Sequence, residues 1–123
     1  MRFNEMDCMV LEDALVDFLE QIQENAPHFT KTPGETVTAA IFSIVSAKKK
    51  LKAIREKQSL DFTSQEVQVM YWAVSDMRDH VTNYLDEAPL SDSDRNIAIE
   101  TQKTCNRLLR EFSNLLRKDG IQF

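Results

Sequence analysis

The chain has very few residues that break or turn the backbone. Its 123 residues include 2 glycines and 3 prolines. β-Sandwiches and barrels need a turn after every short strand, and turns draw heavily on these two residue types. A glycine-rich phosphate-binding loop also needs more than two isolated glycines. The scarcity excludes a sandwich, a barrel or a glycine-rich nucleotide fold, and it favours long helices joined by short connections.

Long uncharged stretches are missing as well. No segment approaches the roughly 20 apolar residues that a membrane-spanning helix needs. The first apolar stretch is interrupted by acids such as Glu5, Asp7 and Asp13, which is untypical of a signal or transit peptide. The two cysteines, Cys8 and Cys105, fall on apolar helix stripes, where a thiol usually acts as a small hydrophobic group. We therefore expect a cytoplasmic protein with reduced thiols and no membrane contact.

What the sequence does contain is helical periodicity in four segments. Apolar residues recur at steps of three and four, which places them on one face of a helix. The pattern predicts helices over about residues 4–24, 33–58, 64–87 and 92–118 within a single domain, residues 1–123. The residues expected to face inward are Cys8, Leu11, Leu15, Phe18 and Ile22; then Val37, Ala40, Ile41, Ile44, Ala47, Leu51 and Ile54; then Val67, Met70, Val74, Met77, Val81 and Tyr84; and finally Ala98, Thr101, Cys105, Leu108, Phe112 and Leu115.

The ends of these segments carry capping signals. In a capping box, the side chain of a Ser or Thr and that of an acid three residues later each bind the other residue's backbone amide. A glycine just past the last turn is a common helix terminator. The matching positions are Thr32 with Glu35, Thr63 with Glu66 (with Phe62 and Val67 spaced as a hydrophobic staple), Ser91 with Asp94 as a weaker cap, and Gly120 as the terminator.

The charges of the four segments alternate along the chain. The first has seven acidic residues and no basic one, and the second has six basic residues against two acidic ones. The third is acidic again, and the fourth is slightly basic. Short connections make consecutive helices antiparallel, so each neighbouring pair would be electrostatically complementary. These features predict an all-α, up-down-up-down antiparallel four-helix bundle.

Residue types typical of catalysis or metal binding are sparse. The two histidines, His28 and His80, do not follow a glutamate by three positions, as the ligands of a di-iron bundle do. Asp76 lies one turn before His80, but a metal ion would need further ligands from another helix or chain. We therefore expect no catalytic residues, no cofactor, no metal site and no small-molecule substrate, with a metal-binding bundle or an enzyme as a remote alternative.

Basic residues on two helices provide a nucleic-acid-binding alternative. Such surfaces can neutralise phosphates. The chain is acidic overall, however, with a net charge of -5, and neither basic stretch has interleaved aromatic residues for base stacking. The alternative is therefore disfavoured. Its candidate contacts are Lys103, Arg107, Arg110, Arg117 and Lys118 on the fourth helix and Lys49 and Lys50 on the second.

Apolar residues outside the inward stripes are the most informative feature for function. Trp72 and Val69 are expected on the outer side of the third helix, beside Asp76 and Asp79. Two explanations fit the second helix, where Phe42 points outward. Either this helix is more central than an even bundle allows, or its outer residues belong to an interface, since exposed aromatic anchors rimmed by charge are typical of interface cores. Other residues off the main stripes are Val45, Met9, Val10 and Val16.

The sequence therefore predicts a non-catalytic helical bundle that acts by protein–protein contact as a regulator, inhibitor or adaptor. The partner is another protein or a second copy of the chain. One predicted binding patch consists of Trp72 and Val69 with Asp76 and Asp79 as rim charges. A second consists of Phe42 and Val45 and is assigned to self-association, which makes a homodimer the expected state.

Overall fold

The structure, a computed structural model, describes residues 3–25, 34–55, 61–87 and 89–120. Four helices occupy these ranges: α1 spans Glu5–Asn25, α2 Gly34–Arg55, α3 Ser64–Glu87 and α4 Asp92–Lys118. No strand occurs within the described ranges. The predicted all-α four-helix bundle is confirmed. The predicted second helix was longer, and its residues 56–58 lie outside the described part, as does His28.

The four helices are not equivalent. α1 and α3 each contact all three other helices, whereas α2 and α4 share no contact among the described residues. The bundle cross-section is therefore a rhombus in which α1 and α3 form the short diagonal. The core is built from the inward faces of all four helices and includes Leu11, Leu15, Ile44, Met70 and Phe112, each fully or almost fully buried.

Most residues expected to face inward do so. The buried residues include Cys8, Ile22, Leu51, Val74 and Cys105. Tyr84 is a correction, because 53 % of its surface is exposed. It lies in the last two turns of α3, beyond the last buried residue of that helix, and the opposing turns of α4 from Asp92 to Ile97 are exposed too. The buried residues of α3 end at Val74, so the C-terminal turns of this helix lie beyond the core.

The capping signals explain where three helices begin. Two were predicted: the Thr63–Glu66 box forms, with both reciprocal hydrogen bonds at 3.1 and 2.8 Å, and the hydroxyl of Ser91 accepts from the amide of Asp94 at 3.2 Å. A third box, between Asn4 and Asp7, starts α1 with bonds of 3.0 and 2.8 Å and was not predicted. Gly120 follows α4 with a φ of 72°, as expected of a helix terminator. The predicted Thr32–Glu35 box lies outside the described residues and side chains.

Two of these capping acids also connect helices. Asp7 and Glu66 are the buried charged residues of the described chain, each 2 % exposed. The carboxylate of Asp7 forms an ion pair with Arg107 of α4. That of Glu66 accepts hydrogen bonds from Ser46 at 2.7 Å and Lys50 at 2.6 Å, both on α2. Each acid therefore starts its own helix and fixes a neighbouring helix against it.

Within the described ranges, no helix has the length and hydropathy needed to cross a membrane.

The buried polar side chains in these ranges all have hydrogen-bond partners. Hydrogen bonding of this kind is what the burial of a polar group requires.

We predict that Glu66→Gln destabilises the fold by about 2 kcal/mol at neutral pH, because a charged hydrogen-bonded group contributes roughly 1.5–3 kcal/mol. Burial raises the pKa of Glu66, but hydrogen bonds from Lys50, Thr63 and Ser46 together lower it below its ordinary value of 4.5. The stabilisation is therefore present above that value and is lost as the pH falls through the lowered pKa. Urea unfolding over a pH series descending from pH 7 measures both effects.

The matched control for this experiment is Glu87→Gln. Glu87 is exposed at the end of α3 and lies outside both candidate surfaces, so the expected change is within about 0.5 kcal/mol. Equal stability of wild type and Glu66→Gln at pH 7 would show that the buried carboxylate does not hold α2 to α3. A difference that does not shrink anywhere in a pH series descending from pH 7 would contradict its charged state.

Candidate functional site

The predicted patch on α3 is not an open surface. Val69 is 2 % exposed, so its expected outward position is wrong. Trp72 is half-buried and packs against the core, and the two residues line a small cleft of about 100 Å³ against Ala39 and Ser43 of α2. The error arose because an evenly arranged bundle leaves one side of each helix in water, whereas α3 is covered by three helices.

The acids of that patch are also engaged. Asp76 accepts a 2.6 Å hydrogen bond from the side-chain amide of Gln21 on α1, and its carboxylate lies 3.8 Å from Nδ1 of His80. Asp79 is exposed and lies 3.4 Å from the guanidinium of Arg78. No group of three or more potential metal ligands is found among the described residues. Asp76 therefore serves the contact between α1 and α3.

The outer face of α2 is a genuine exposed apolar surface. Phe42 is 71 % exposed and Val45 is 40 % exposed, which agrees with their expected positions. The explanation that α2 is more central than an even bundle allows is wrong, because α2 contacts two of the other three described helices, α1 and α3. Lys49 and Lys52 are exposed at the next positions of the same helical face. We call Phe42, Val45, Lys49 and Lys52 the α2 outer face.

A second apolar surface lies between α1 and α4, where the sequence analysis placed no site. It is a groove of about 500 Å³. Met6, Met9 and Ile97 on its walls are 36 %, 49 % and 62 % exposed. Two acids, Asp13 and Glu100, stand at its edge. We call this the methionine groove; its apolar lining is Met6, Met9, Val10, Met77 and Ile97.

The signal for this groove was only partly visible in the sequence. Met9 falls off the inward stripe of α1, as noted above, and it is exposed, whereas Val10 is buried at 5 % exposure. Ile97 comes from a different helix, and only the pairing of α1 with α4 brings it near Met6 and Met9. The groove therefore depends on tertiary geometry that periodicity alone does not provide.

The basic residues proposed for nucleic-acid contact fall into two groups. In the first, the cation already has a protein partner. Arg107 pairs with Asp7 and with Glu111, the latter at 3.2 Å, and Lys50 pairs with Glu66. Lys103 forms the weak surface pair with Glu100. Arg107 and Lys50 therefore belong to the contacts between helices.

The second group remains on the surface. Lys49, Arg110, Arg117 and Lys118 are exposed. Arg110 and Arg117 line a polar groove between α3 and α4 together with Arg78 of α3. Arg78 was not among the predicted contacts, because it lies on a different helix and is surrounded in sequence by acids. We call this surface the arginine groove.

The cysteines are placed as inert core residues. Cys8 is 2 % exposed and Cys105 is fully buried, and both are free thiols. Burial raises the pKa of Cys105 to about 11, although the nearby Arg78 charge opposes this shift. Because the thiolate is the reactive form, Cys105 is poorly suited to nucleophilic chemistry.

We predict that the native protein resists thiol reagents. With a pKa near 11, the thiolate fraction of Cys105 at pH 8 is about 100-fold below that of an ordinary thiol, and burial slows the reaction further. Ellman's reagent should therefore react slowly with the native protein. After denaturation it should react with two thiols per chain. Asn106→Cys, at the adjacent exposed position, is the positive control and should react at once. Rapid labelling of Cys105 in the native protein would contradict its placement.

Comparison with protein-family models, curated proteins and solved structures finds no match. A helical bundle is used for many unrelated functions, so the fold alone does not identify one. What the chain does has to be inferred from the α2 outer face, the methionine groove and the arginine groove.

Proposed function

We propose that this chain is a protein-interaction module that acts by binding rather than by catalysis and associates with a second copy of itself. The observation that carries this proposal is the exposure of Phe42, at 71 %, on the face of α2 that no other described helix covers. A single exposed hydrophobic residue is common, but here Val45 extends the apolar surface and lysines flank it.

The methionine groove has the complementary chemistry. Its interior is apolar, and its edge carries Asp13 and Glu100. α1, which forms one wall, has seven acidic residues and no basic one between Glu5 and Glu24. Methionine side chains are flexible and adapt to the shape of an inserted group. The groove therefore suits an aromatic side chain that is surrounded by positive charge, as Phe42 is by Lys49 and Lys52.

A two-fold symmetric dimer would use both surfaces at once. Phe42 of each copy would enter the methionine groove of the other, which satisfies the self-complementarity that such a dimer requires. Burying one phenylalanine side chain contributes roughly 1.5–3 kcal/mol to the free energy of association. A two-fold symmetric dimer contains this contact twice. Charge complementarity between the two surfaces would fix the orientation of the copies and suppress other pairings.

Phe42→Asp should convert the dimer to a monomer. The substitution removes two buried aromatic contacts and places a carboxylate against an acidic groove, so we expect the dimer dissociation constant to rise by at least about 100-fold. Sedimentation equilibrium measures this change. The matched control is Tyr84→Asp, since Tyr84 is also an exposed aromatic residue but lies outside both surfaces. A wild-type protein that remains monomeric at millimolar concentration would refute self-association.

Charge reversal tests the pairing of the two surfaces. Lys49→Glu/Lys52→Glu should weaken association, and so should Asp13→Lys/Glu100→Lys, because each double variant brings like charges together. A mixture of the two double variants should form heterodimers, since one interface then has the original charges and the other has both charges reversed. Native mass spectrometry distinguishes the species. Weakening without recovery in the mixture would show that these two surfaces do not meet.

A further inference from the structure

The sulfur atoms of the described residues differ in how easily an oxidant in solution can reach them. The thiols of Cys8 and Cys105 and the thioether of Met70 are buried. Burial also raises the pKa of Cys105 to about 11, so this residue holds almost no thiolate, which is the form that reacts. Met6 and Met9 are exposed on α1. A small oxidant in water therefore meets these two methionines before the three buried sulfur atoms.

Both exposed methionines belong to one surface. They are three positions apart on α1, so they lie on the same side of the helix, about one turn from each other. Both line the methionine groove, where the half-buried Met77 of α3 joins them. Three of the five methionines of the chain therefore meet in this groove. A change at either exposed thioether alters the same apolar surface.

A methionine thioether reacts with a peroxide without help from the protein. A lone pair of the sulfur atom attacks one oxygen of hydrogen peroxide, an S–O bond forms and the O–O bond breaks. The sulfur gives up two electrons and becomes a sulfoxide. The second oxygen leaves as hydroxide and takes the proton of the transferred hydroxyl, so water is the other product. Because the thioether has no proton to lose, the reaction needs no neighbouring base.

The sulfoxide product does not suit the groove. It is polar, and its oxygen accepts hydrogen bonds. The carboxylates of Asp13 and Glu100 at the groove edge also accept and cannot donate to it. The hydroxyl of Thr101 already donates to the carbonyl of Ile97 at 2.9 Å, and Asn96 lies at an exposed position of the lining. An aromatic ring that enters an oxidised groove would bury the sulfoxide without a donor from these groups, which is unfavourable.

We infer that Met6 and Met9 form an oxidation site for peroxides that controls self-association. In the thioether form the groove admits Phe42 of a second copy, and in the sulfoxide form it does not. Methionine sulfoxide is reduced to the thioether by two reductases, one for each sulfoxide epimer. A dithiol supplies the two electrons and becomes a disulfide, and the oxygen leaves as water. The control of association rests on the proposed function, whereas the selective oxidation of the two residues does not.

The test combines peptide mass spectrometry with sedimentation equilibrium on the full chain, before and after treatment with hydrogen peroxide. We expect sulfoxide at Met6 and Met9 while Met70 and both cysteines are unchanged. Burying one polar group without a hydrogen bond weakens affinity by about tenfold. Since the symmetric dimer contains two grooves, its dissociation constant should rise by about 100-fold. Incubation with both reductases and dithiothreitol should restore the starting value.

Conservative variants locate the effect. Met6→Leu/Met9→Leu keeps apolar side chains in the groove but removes both exposed thioethers, so peroxide should not change the dissociation constant of this variant. Met70→Leu is the matched control, because Met70 is buried and lies outside the groove lining. Peroxide should weaken its association as it does in the wild type. Each variant is compared with its own untreated sample, and circular dichroism shows that the fold is intact.

Four results would overturn the inference. Oxidation of Met70 or of a cysteine as fast as that of Met6 and Met9 would contradict the difference in accessibility. An unchanged dissociation constant after full oxidation of both residues would refute the control of association and leave the proposed function standing. An equal loss of association in Met6→Leu/Met9→Leu would assign the effect to another residue. A wild-type protein that is monomeric before any treatment would refute the proposed function and, with it, the control of association.

Discussion

Two buried carboxylates constrain the arrangement of this bundle. Asp7 and Glu66 each occupy the third position after a helix cap, where they bind a backbone amide, and each also binds a cation on a neighbouring helix. Removing one partner from a buried ion pair is strongly unfavourable, because the other charge is left without compensation. The start of α1 is thereby tied to α4 and the start of α3 to α2. The two acids thus couple local helix formation to the packing of the whole domain.

The same constraint determines which charges lie between helices and which lie on the surface. In the sequence, Arg107 and Lys50 are part of two basic helix faces. In the structure they form ion pairs with the buried Asp7 and Glu66, so both lie at the edge of the core and hold helices together. The charges left on the surface are divided between two sides of the molecule. Lys49 and Lys52 accompany Phe42 on α2, and Arg110 and Arg117 accompany Arg78 beside α4. The α2 outer face and the arginine groove therefore lie on different helices.

Much of the fold was predictable because it depends on local rules. The helix positions follow from apolar periodicity, and the starts of α3 and α4 follow from the caps at Thr63 and Ser91. Errors occurred where a residue's surroundings depend on how helices are arranged in three dimensions. Val69 is buried because α3 packs against the three other helices, and Tyr84 is exposed because the C-terminal turns of α3 lie beyond the core. Periodicity specifies a direction around a helix axis but does not specify what lies there.

The candidate sites show the same division. Phe42 was identified from its position on a single helix, since an outward aromatic residue on a helix with two neighbours stays outward. The methionine groove joins residues of α1, α3 and α4, and the arginine groove adds Arg78 to two arginines of a different helix. Both require the register between helices, which is set by side-chain contacts such as that of Gln102 with Thr82. No pattern within one segment contains that information.

The contact between Phe42 of one copy and the methionine groove of another is the central claim, and an isotope-filtered nuclear Overhauser experiment tests it most directly. Protein with 13C-labelled methionine methyl groups is mixed with unlabelled protein, so that only contacts between copies are observed. We expect cross-peaks from the ring protons of Phe42 to the methyl groups of Met6 and Met9. Their absence under conditions where the protein is dimeric, or cross-peaks from Phe42 to a methionine outside the groove such as Met70, would contradict the proposed interface.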